Sequence, residues 1–220
     1  MEGTEIIITN DGSHSLYSNK YGEQYHSSFG AIQESEHIFI SGGLNFFADN
    51  DRINILEIGT GTGLNVLLTF IQSERRNISI EYDGIELFPP NKKILEQLNY
   101  PNVLKVNRSV FDLIHSSRND TIDISENFRF RNKLDSVHTV ELENDKYNIV
   151  YMDAFSPDIQ PEMWSVNVFE KINKSMNLGG VLTTYSCKGV VKRALKSAGF
   201  IIEKLPGPPG KREFLRATKV

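Results

Sequence analysis

Three glycines at alternate positions, in Glu57-Ile58-Gly59-Thr60-Gly61-Thr62-Gly63-Leu64-Asn65, separate two apolar segments of different kinds. Upstream, Ile53-Asn54-Ile55-Leu56-Glu57-Ile58 is short and apolar, as a buried strand requires. Downstream, Leu64, Val66, Leu67, Leu68, Phe70 and Ile71 mark a helix. Glycine lets the backbone turn sharply and pass close to a ligand. The helix that follows begins with free N–H groups. A strand, a tight turn and a helix form the opening unit of an open α/β sheet. The spacing differs from the dinucleotide pattern G-x-G-x-x-G, which makes a dinucleotide oxidoreductase the weakest option. The competing reading is a glycine turn that only packs.

The rest of the chain supports alternation of strands and helices. Strands are predicted at Ile78–Ile85, Val103–Val106, Asn148–Met152, Val181–Tyr185, Phe200–Lys204 and Glu213–Thr218. Helices are predicted after Pro89-Pro90, within 107–120, from Pro161 to Met176 with a stop at Gly179-Gly180, and from Val190 to Ala198. Thr121–Ser125 and Phe128–Leu134 resemble a hairpin. Ahead of these, Glu5–Thr9 and His14–Tyr17 flank the turn residues Asn10-Asp11-Gly12-Ser13. Ala31–Ile40 is expected to be a helix although its apolar spacing has no clean period. The expected organisation is an N-terminal hairpin and helix extension over 1–45, packed on a Rossmann-like α/β domain over 46–220. That domain has a mainly parallel twisted sheet with helices on both faces.

Composition narrows the function classes. Hydrophobic residues make up 39% and charged residues 24% of the 220, enough for a core and too apolar for a disordered chain. No apolar run reaches bilayer length, and Met1–Glu5 lacks the basic start of a signal peptide, so a cytoplasmic protein is expected with no membrane partner. The lone Cys187 excludes an internal disulfide and a multi-cysteine zinc site. The net charge of −4 is unevenly spread. Residues 186–220 hold nine Lys/Arg against two acids, a surplus of +7, and the rest of the chain carries −11. Such an end either meets an anion or forms a solvated helix face and a lysine-guarded edge strand.

Two acids stand at strand ends. Glu86, 27 positions after Gly59, could accept both hydroxyls of a ribose. Asp135 could accept from the exocyclic amine of adenine, or could cap a loop. Asp153-Ala154-Phe155-Ser156-Pro157 follows another strand and precedes Pro161-Glu162-Met163-Trp164. Ligands of such sheets bind at the carboxyl ends of the strands. Phe155 and Trp164 could stack on a base there, or could belong to the core.

The acid-x-Gly-x-Gly-x-Gly run of Glu57, Gly59, Gly61 and Gly63, continued to Asn65, resembles motif I of class I S-adenosylmethionine-dependent methyltransferases. Further stretches widen the likeness: Tyr25–Ile40, Ile85-Glu86-Leu87-Phe88-Pro89, Asp153–Pro157, Thr184-Tyr185-Ser186, Gly189–Arg193 and Gly210–Glu213. Together they resemble the tRNA 5-methylaminomethyl-2-thiouridine-forming methyltransferases, the stand-alone MnmD type and the methyltransferase half of MnmC. The family commonly has Gly before the acid at Asp135, where this chain has Leu134.

The resemblance implies N-methylation of the 5-aminomethyl group on a wobble (2-thio)uridine of tRNA, with S-adenosylmethionine as cofactor and no metal. It implies cofactor contacts from Glu57, Gly59, Gly61, Gly63, Asn65, Glu86 and Asp135, and makes Asp153 the catalytic carboxylate. His26, Ser27, Glu34, Ser35, Phe155, Pro157 and Trp164 are expected to line the substrate pocket. Lys188, Lys192, Arg193, Lys211 and Arg212 are expected to meet phosphates of the anticodon stem-loop, with no role for DNA. The flavin-dependent oxidoreductase activity that prepares the amine in bifunctional relatives is expected on a separate protein. A spermidine-synthase-like aminopropyltransferase shares these features with a small substrate. A non-catalytic nucleotide- or RNA-binding module on the same fold is the reading from another class.

Overall fold

The structure, a computed structural model, describes residues 3–220. The chain begins with β1 (Thr4–Ile8), β2 (His14–Ser18) and β3 (Glu23–Gln24), an antiparallel three-stranded sheet. In the β1–β2 turn the Asp11 carboxylate accepts from the Ser13 N–H at 2.9 Å and, across 22 residues, from the Gln33 N–H at 3.0 Å. That second bond holds the start of α1 (Ala31–Ser35) against the turn.

Beyond α1 the helix widens into a π-helical turn over Glu36–Ser41. This explains the irregular apolar spacing, because the consecutive residues Ile38, Phe39 and Ile40 are all buried. A 3₁₀ turn, Leu44–Phe47, leads into the main sheet.

The sheet elements follow as β4 (Arg52–Ile58), α2 (Leu64–Arg76), β5 (Ser79–Ile85), α3 (Lys92–Leu95), α4 (Tyr100–Leu104), α5 (Arg108–Ser116), β6 (Thr121–Ser125) and β7 (Phe128–Lys133). Then come β8 (Tyr147–Met152), α6 (Val166–Ser175), β9 (Met176–Thr184), α7 (Gly189–Ser197), β10 (Phe200–Pro206) and β11 (Glu213–Lys219). Their order across the sheet is β10-β11-β9-β8-β4-β5-β7-β6. The five strands from β9 to β7 run parallel, and β10, β11 and β6 are antiparallel to their neighbours.

Side chains alternate across each strand. On β4, Ile53 and Ile55 pack with α2 and the π-helical turn, while Leu56 and Ile58 pack with α6 and α7. Both faces of the sheet are thereby covered, as a parallel sheet requires. The sheet is thus the expected α/β, Rossmann-like one.

Two local expectations are corrected. Val103–Val106 is not a strand: Pro101 sits in the first turn of α4, the buried Tyr100 anchors it, and Lys105 closes it in a left-handed conformation. The place beside β5 is taken by β7 instead. The predicted helix Pro161–Met176 is broken at Ser165, whose extended backbone separates a 3₁₀ turn at Pro161–Trp164 from α6 and whose Oγ caps α6. The helix stops before Met176, and Gly179-Gly180 lies within β9, where the pairing with β8 shifts register.

Phe130 on β7 is fully buried, with its ring 5.8 Å from that of Tyr82 on β5. Phe130→Ala is expected to cost about 3–5 kcal/mol in urea unfolding. A loss below about 1 kcal/mol would show that β7 is not an interior strand of the core.

Candidate functional site

A cavity of about 680 Å³ opens at the carboxyl ends of β4, β5 and β8. That is the size range of a small-molecule site. Its floor is the turn between β4 and α2. Gly59 has a φ of +89°, and a Cβ there would lie 2.6 Å from the Asp153 carbonyl oxygen. The two strand ends can approach this closely only with glycine. Gly61 has a φ of +49° and faces the ring of Tyr25. Its N–H donates to Glu86 Oε2 at 2.9 Å, and the Phe88 N–H donates to Glu86 Oε1 at 2.8 Å. Glu86 is thus fixed at the cavity wall with acceptor capacity to spare, while burial raises its pKa.

Below the floor, Asn65 from α2 bridges two carboxylates. Its Nδ2 donates to Glu57 Oε1 at 2.7 Å and to Asp153 Oδ2 at 2.9 Å. Tyr82 donates to the other Glu57 oxygen at 2.9 Å. Burial, with Asp153 nearby, pushes the Glu57 carboxyl up to about 8. Burial and the charge of Glu34 push Asp153 up to about 7, against the bond from Asn65 and the charge of Lys211. The Asn65 Oδ1 is buried without a partner.

The N-terminal segment forms one wall. Glu34 on α1 accepts from the Ser27 N–H at 2.7 Å. The ring of His26 meets Ser15 Oγ at 3.0 Å, and burial lowers its pKa to about 4, so it is neutral at physiological pH. Tyr21 and Tyr25 pack on Phe155 with ring centres 4.7 and 4.9 Å away. From the opposite edge, Lys211 reaches in. Its Nζ lies 2.5 Å from Glu34 Oε1 and 4.3 Å above the ring of Tyr185. Six carboxylates line the cavity, those of Glu23, Glu34, Glu86, Asp135, Asp153 and Glu162. Among the described residues, Lys211 is the one lysine or arginine that does so.

The structure therefore gathers Gly59, Gly61, Glu86, Asp135, Asp153, His26, Ser27, Glu34 and Phe155 around one cavity. Other residues expected there lie elsewhere. Glu57 sits behind Asn65, Asn65 faces only a smaller recess under the glycine turn, and Gly63 packs against His115. Trp164 is 1% exposed, its rings against Tyr185 and Phe169, with Nε1 donating to the Phe155 carbonyl, so it cannot stack on a base. Ser35 and Pro157 are buried in packing away from the cavity. Asp135 lines the cavity but also caps a turn, accepting from the Ser136 N–H and the Thr139 hydroxyl, both at 2.7 Å.

The basic end is corrected most. Lys211 points into the cavity, not at the surface. Lys188 is paired with Asp158, Lys204 with Glu213, Arg216 with Glu203 and Lys219 with Asp145. Among the described residues, Lys192, Arg193, Lys196 and Arg212 take part in no ion pair. Glu23, Tyr25 and Tyr185 carry parts of the site that sequence reasoning missed. Tyr185 had a signal in its place just after a parallel strand, whereas Glu23 had none.

A parallel sheet with a glycine turn, a strand-end carboxylate and an acidic cavity defines a nucleoside-cofactor enzyme, and the chain belongs to the S-adenosyl-L-methionine-dependent methyltransferase family. The profile of that family matches residues 102–220. Over 97% of its length the chain is 28% identical to the "tRNA 5-methylaminomethyl-2-thiouridine biosynthesis bifunctional protein MnmC" of Cupriavidus metallidurans, covering 34% of that protein. It is 30% identical over 96% of its length to the protein of that name from Burkholderia multivorans, again covering 34%. The chain thus spans about a third of the length of these curated relatives. The crystal structure of MNMC2 from Aquifex aeolicus superposes with a TM-score of 0.80 at 27% identity, covering 99% of this chain and 71% of that one. Spermidine synthase from Thermotoga maritima, at 13% identity and a TM-score of 0.56, shares the fold alone.

The cofactor is S-adenosylmethionine, and the site fits it. The glycine turn puts Gly59 and Gly61, which carry no side chain, on the cavity lining, Glu86 has capacity for ribose hydroxyls, and the carboxylate surplus suits a cationic ligand.

Glu57 has its folded-state pKa raised above the unfolded value. The stability it contributes is therefore fully present below about pH 4.5 and is lost as the pH rises through about 8. The urea midpoint is expected to fall between those limits, and Glu57→Gln to flatten that fall. An equal slope in wild type and variant would contradict the assignment.

Proposed function

We propose that the protein methylates the 5-aminomethyl nitrogen of a wobble (2-thio)uridine in tRNA. The observation that supports this best is Asp153, a carboxylate on the cavity wall beside the glycine cradle, with its pKa pushed up to about 7. A proton acceptor works best when its pKa lies near the operating pH. The relatives named for this biosynthesis cover nearly the whole chain and favour the same substrate.

S-adenosylmethionine, when bound, supplies the methyl group on a positively charged sulfur and keeps the C–S electron pair as the methyl leaves. Glu86 would hold the ribose hydroxyls, its carboxylate already aimed by the Gly61 and Phe88 N–H groups. Asp153 accepts a hydrogen bond from the amine and takes its proton, which frees the nitrogen lone pair for the new N–C bond. Asn65 holds Asp153 in place for this. His26, neutral at physiological pH, adds no positive charge against the amine.

The nucleic acid would meet the protein outside the acidic cavity. The candidates for its phosphates are Lys192 and Arg193 on α7, with Arg212. Exposed Phe29, Leu87 and Phe88 at the mouth offer apolar area to the unpaired bases of a loop. Among the described residues no helix is long and apolar enough to cross a membrane. A cytoplasmic location and a flavin-dependent activity that supplies the aminomethyl group complete the proposal.

Incubation with labelled S-adenosylmethionine and tRNA lacking the final methyl should put label in the wobble nucleoside. Asp153→Ala should abolish it while retaining cofactor binding. Label in another nucleoside, or none, would refute the substrate. Lys192→Ala with Arg193→Ala is expected to weaken tRNA binding and reduce the slope of log affinity against log salt by about one to two. Unchanged affinity would remove α7 from the interface.

A further inference from the structure

Lysine is a costly residue to bring into a cavity, yet the loop between β10 and β11 is built to deliver one. Gly207 donates its N–H to the Arg212 carbonyl at 3.1 Å, and Lys211 donates its own to the Pro208 carbonyl at 2.9 Å. A Cβ on Gly207 would lie 2.4 Å from the Lys211 carbonyl oxygen. Gly210, at a φ of +84°, backs onto the ring of Phe29, 2.3 Å from where its Cβ would be. The loop is thus held between its own prolines and the N-terminal segment. The Lys211 side chain, 28% exposed, ends on the ring of Tyr185 and the carboxylate of Glu34, whose side chain is 9% exposed. Tyr185 in turn donates to the Ala154 carbonyl at 2.8 Å, next to Asp153.

We propose that Lys211 is a positioning residue for methyl transfer: by pairing with Glu34 inside the cavity it cancels that charge and leaves Asp153 as the carboxylate that accepts the proton. This rests on the methyl-transfer reading above. An amine entering a cavity of uncompensated carboxylates would stay protonated, and a protonated amine has no lone pair to donate. The pairing removes one acid from that balance.

The groups around Asp153 come from several elements. They are Glu34 on α1, Lys211 on the β10–β11 loop, Asn65 on α2 with Glu57 of β4 behind it, and Tyr185 after β9. Neutral His26 and the carboxylate of Glu86 share the same cavity. Of these, Glu34 and Lys211 act on Asp153 in opposite directions: the acid raises its proton affinity and the ammonium lowers it. Removing the two charges in turn should therefore move Asp153 in opposite directions, and a lysine present only for packing would leave the pH dependence of turnover unchanged.

The test is a carbon-13 NMR titration of aspartate carboxyls, with the Asp153 signal assigned by its loss in Asp153→Asn. Lys211→Met is expected to raise the Asp153 midpoint by about 0.5–1 pH unit, and Glu34→Gln to lower it by a comparable amount. The double variant should return close to wild type, and Lys211→Arg should titrate like wild type. The acid limb of kcat against pH for methyl transfer should move with these midpoints. Single variants that leave the midpoint unmoved, or move it in the same direction, would overturn the role of Lys211. Opposed shifts in a protein that labels no tRNA would instead overturn the substrate reading, because the titration needs no turnover.

Discussion

One side-chain amide holds the centre of this molecule together. Asn65 stands at the start of α2 and gives one N–H to Glu57 at the end of β4 and the other to Asp153 just past β8. Those strands are hydrogen-bonded neighbours in the middle of the sheet. Two acids at adjacent strand ends would repel if both were charged, and each would be costly to bury unpaired. The amide satisfies both and fixes the rotamer of each. It ties the start of α2 to the ends of both strands. The arrangement sits at the ends of interior parallel strands packed on both faces, where a misplaced side chain disturbs close-packed neighbours.

Charge is organised by depth, not only by position along the chain. Five of the nine cations in residues 186–220 form ion pairs, two with the segment's own Glu203 and Glu213 and three with Glu34, Asp145 and Asp158 from elsewhere, which leaves the cations of α7 and Arg212 without an ion pair among the described residues. The acidic surplus is partly concentrated inside, on the cavity wall. An anionic polymer would be repelled from the interior and drawn to the helix outside it. A small cationic group would experience the reverse. The distribution thus suits a polyanion that presents one positively charged side group to the site.

The sheet and the glycine turn were legible because they depend on local chemistry. Short apolar runs bounded by glycine leave few options, and Glu86 and Asp153 stand where such runs end. Elements set by longer-range contacts were not legible. Val103–Val106 has strand-like composition, but Pro101 and the burial of Tyr100 commit it to helix. Trp164 looked like a stacking platform because nothing local signals that its ring lies between Tyr185 and Phe169. Lys211 looked like a surface cation because its partner, Glu34, belongs to the far end of the chain. For Trp164 and Lys211 a deciding neighbour, Tyr185 or Glu34, is distant in sequence, and the buried Tyr100 donates to Thr62 Oγ1, 38 residues away.

The bond from the Asp11 turn to α1 spans 22 residues, the Asn65–Asp153 bridge 88, and the contact between His37 Nε2 and the Pro206 carbonyl 169. Closing loops of that length is entropically unfavourable until many contacts form together. The cavity therefore has walls from both ends and the middle of the chain, and no short fragment contains it. A molecule that occupies the cavity reports on the native state alone. By mass action it stabilises the first and last segments as much as the strands between them.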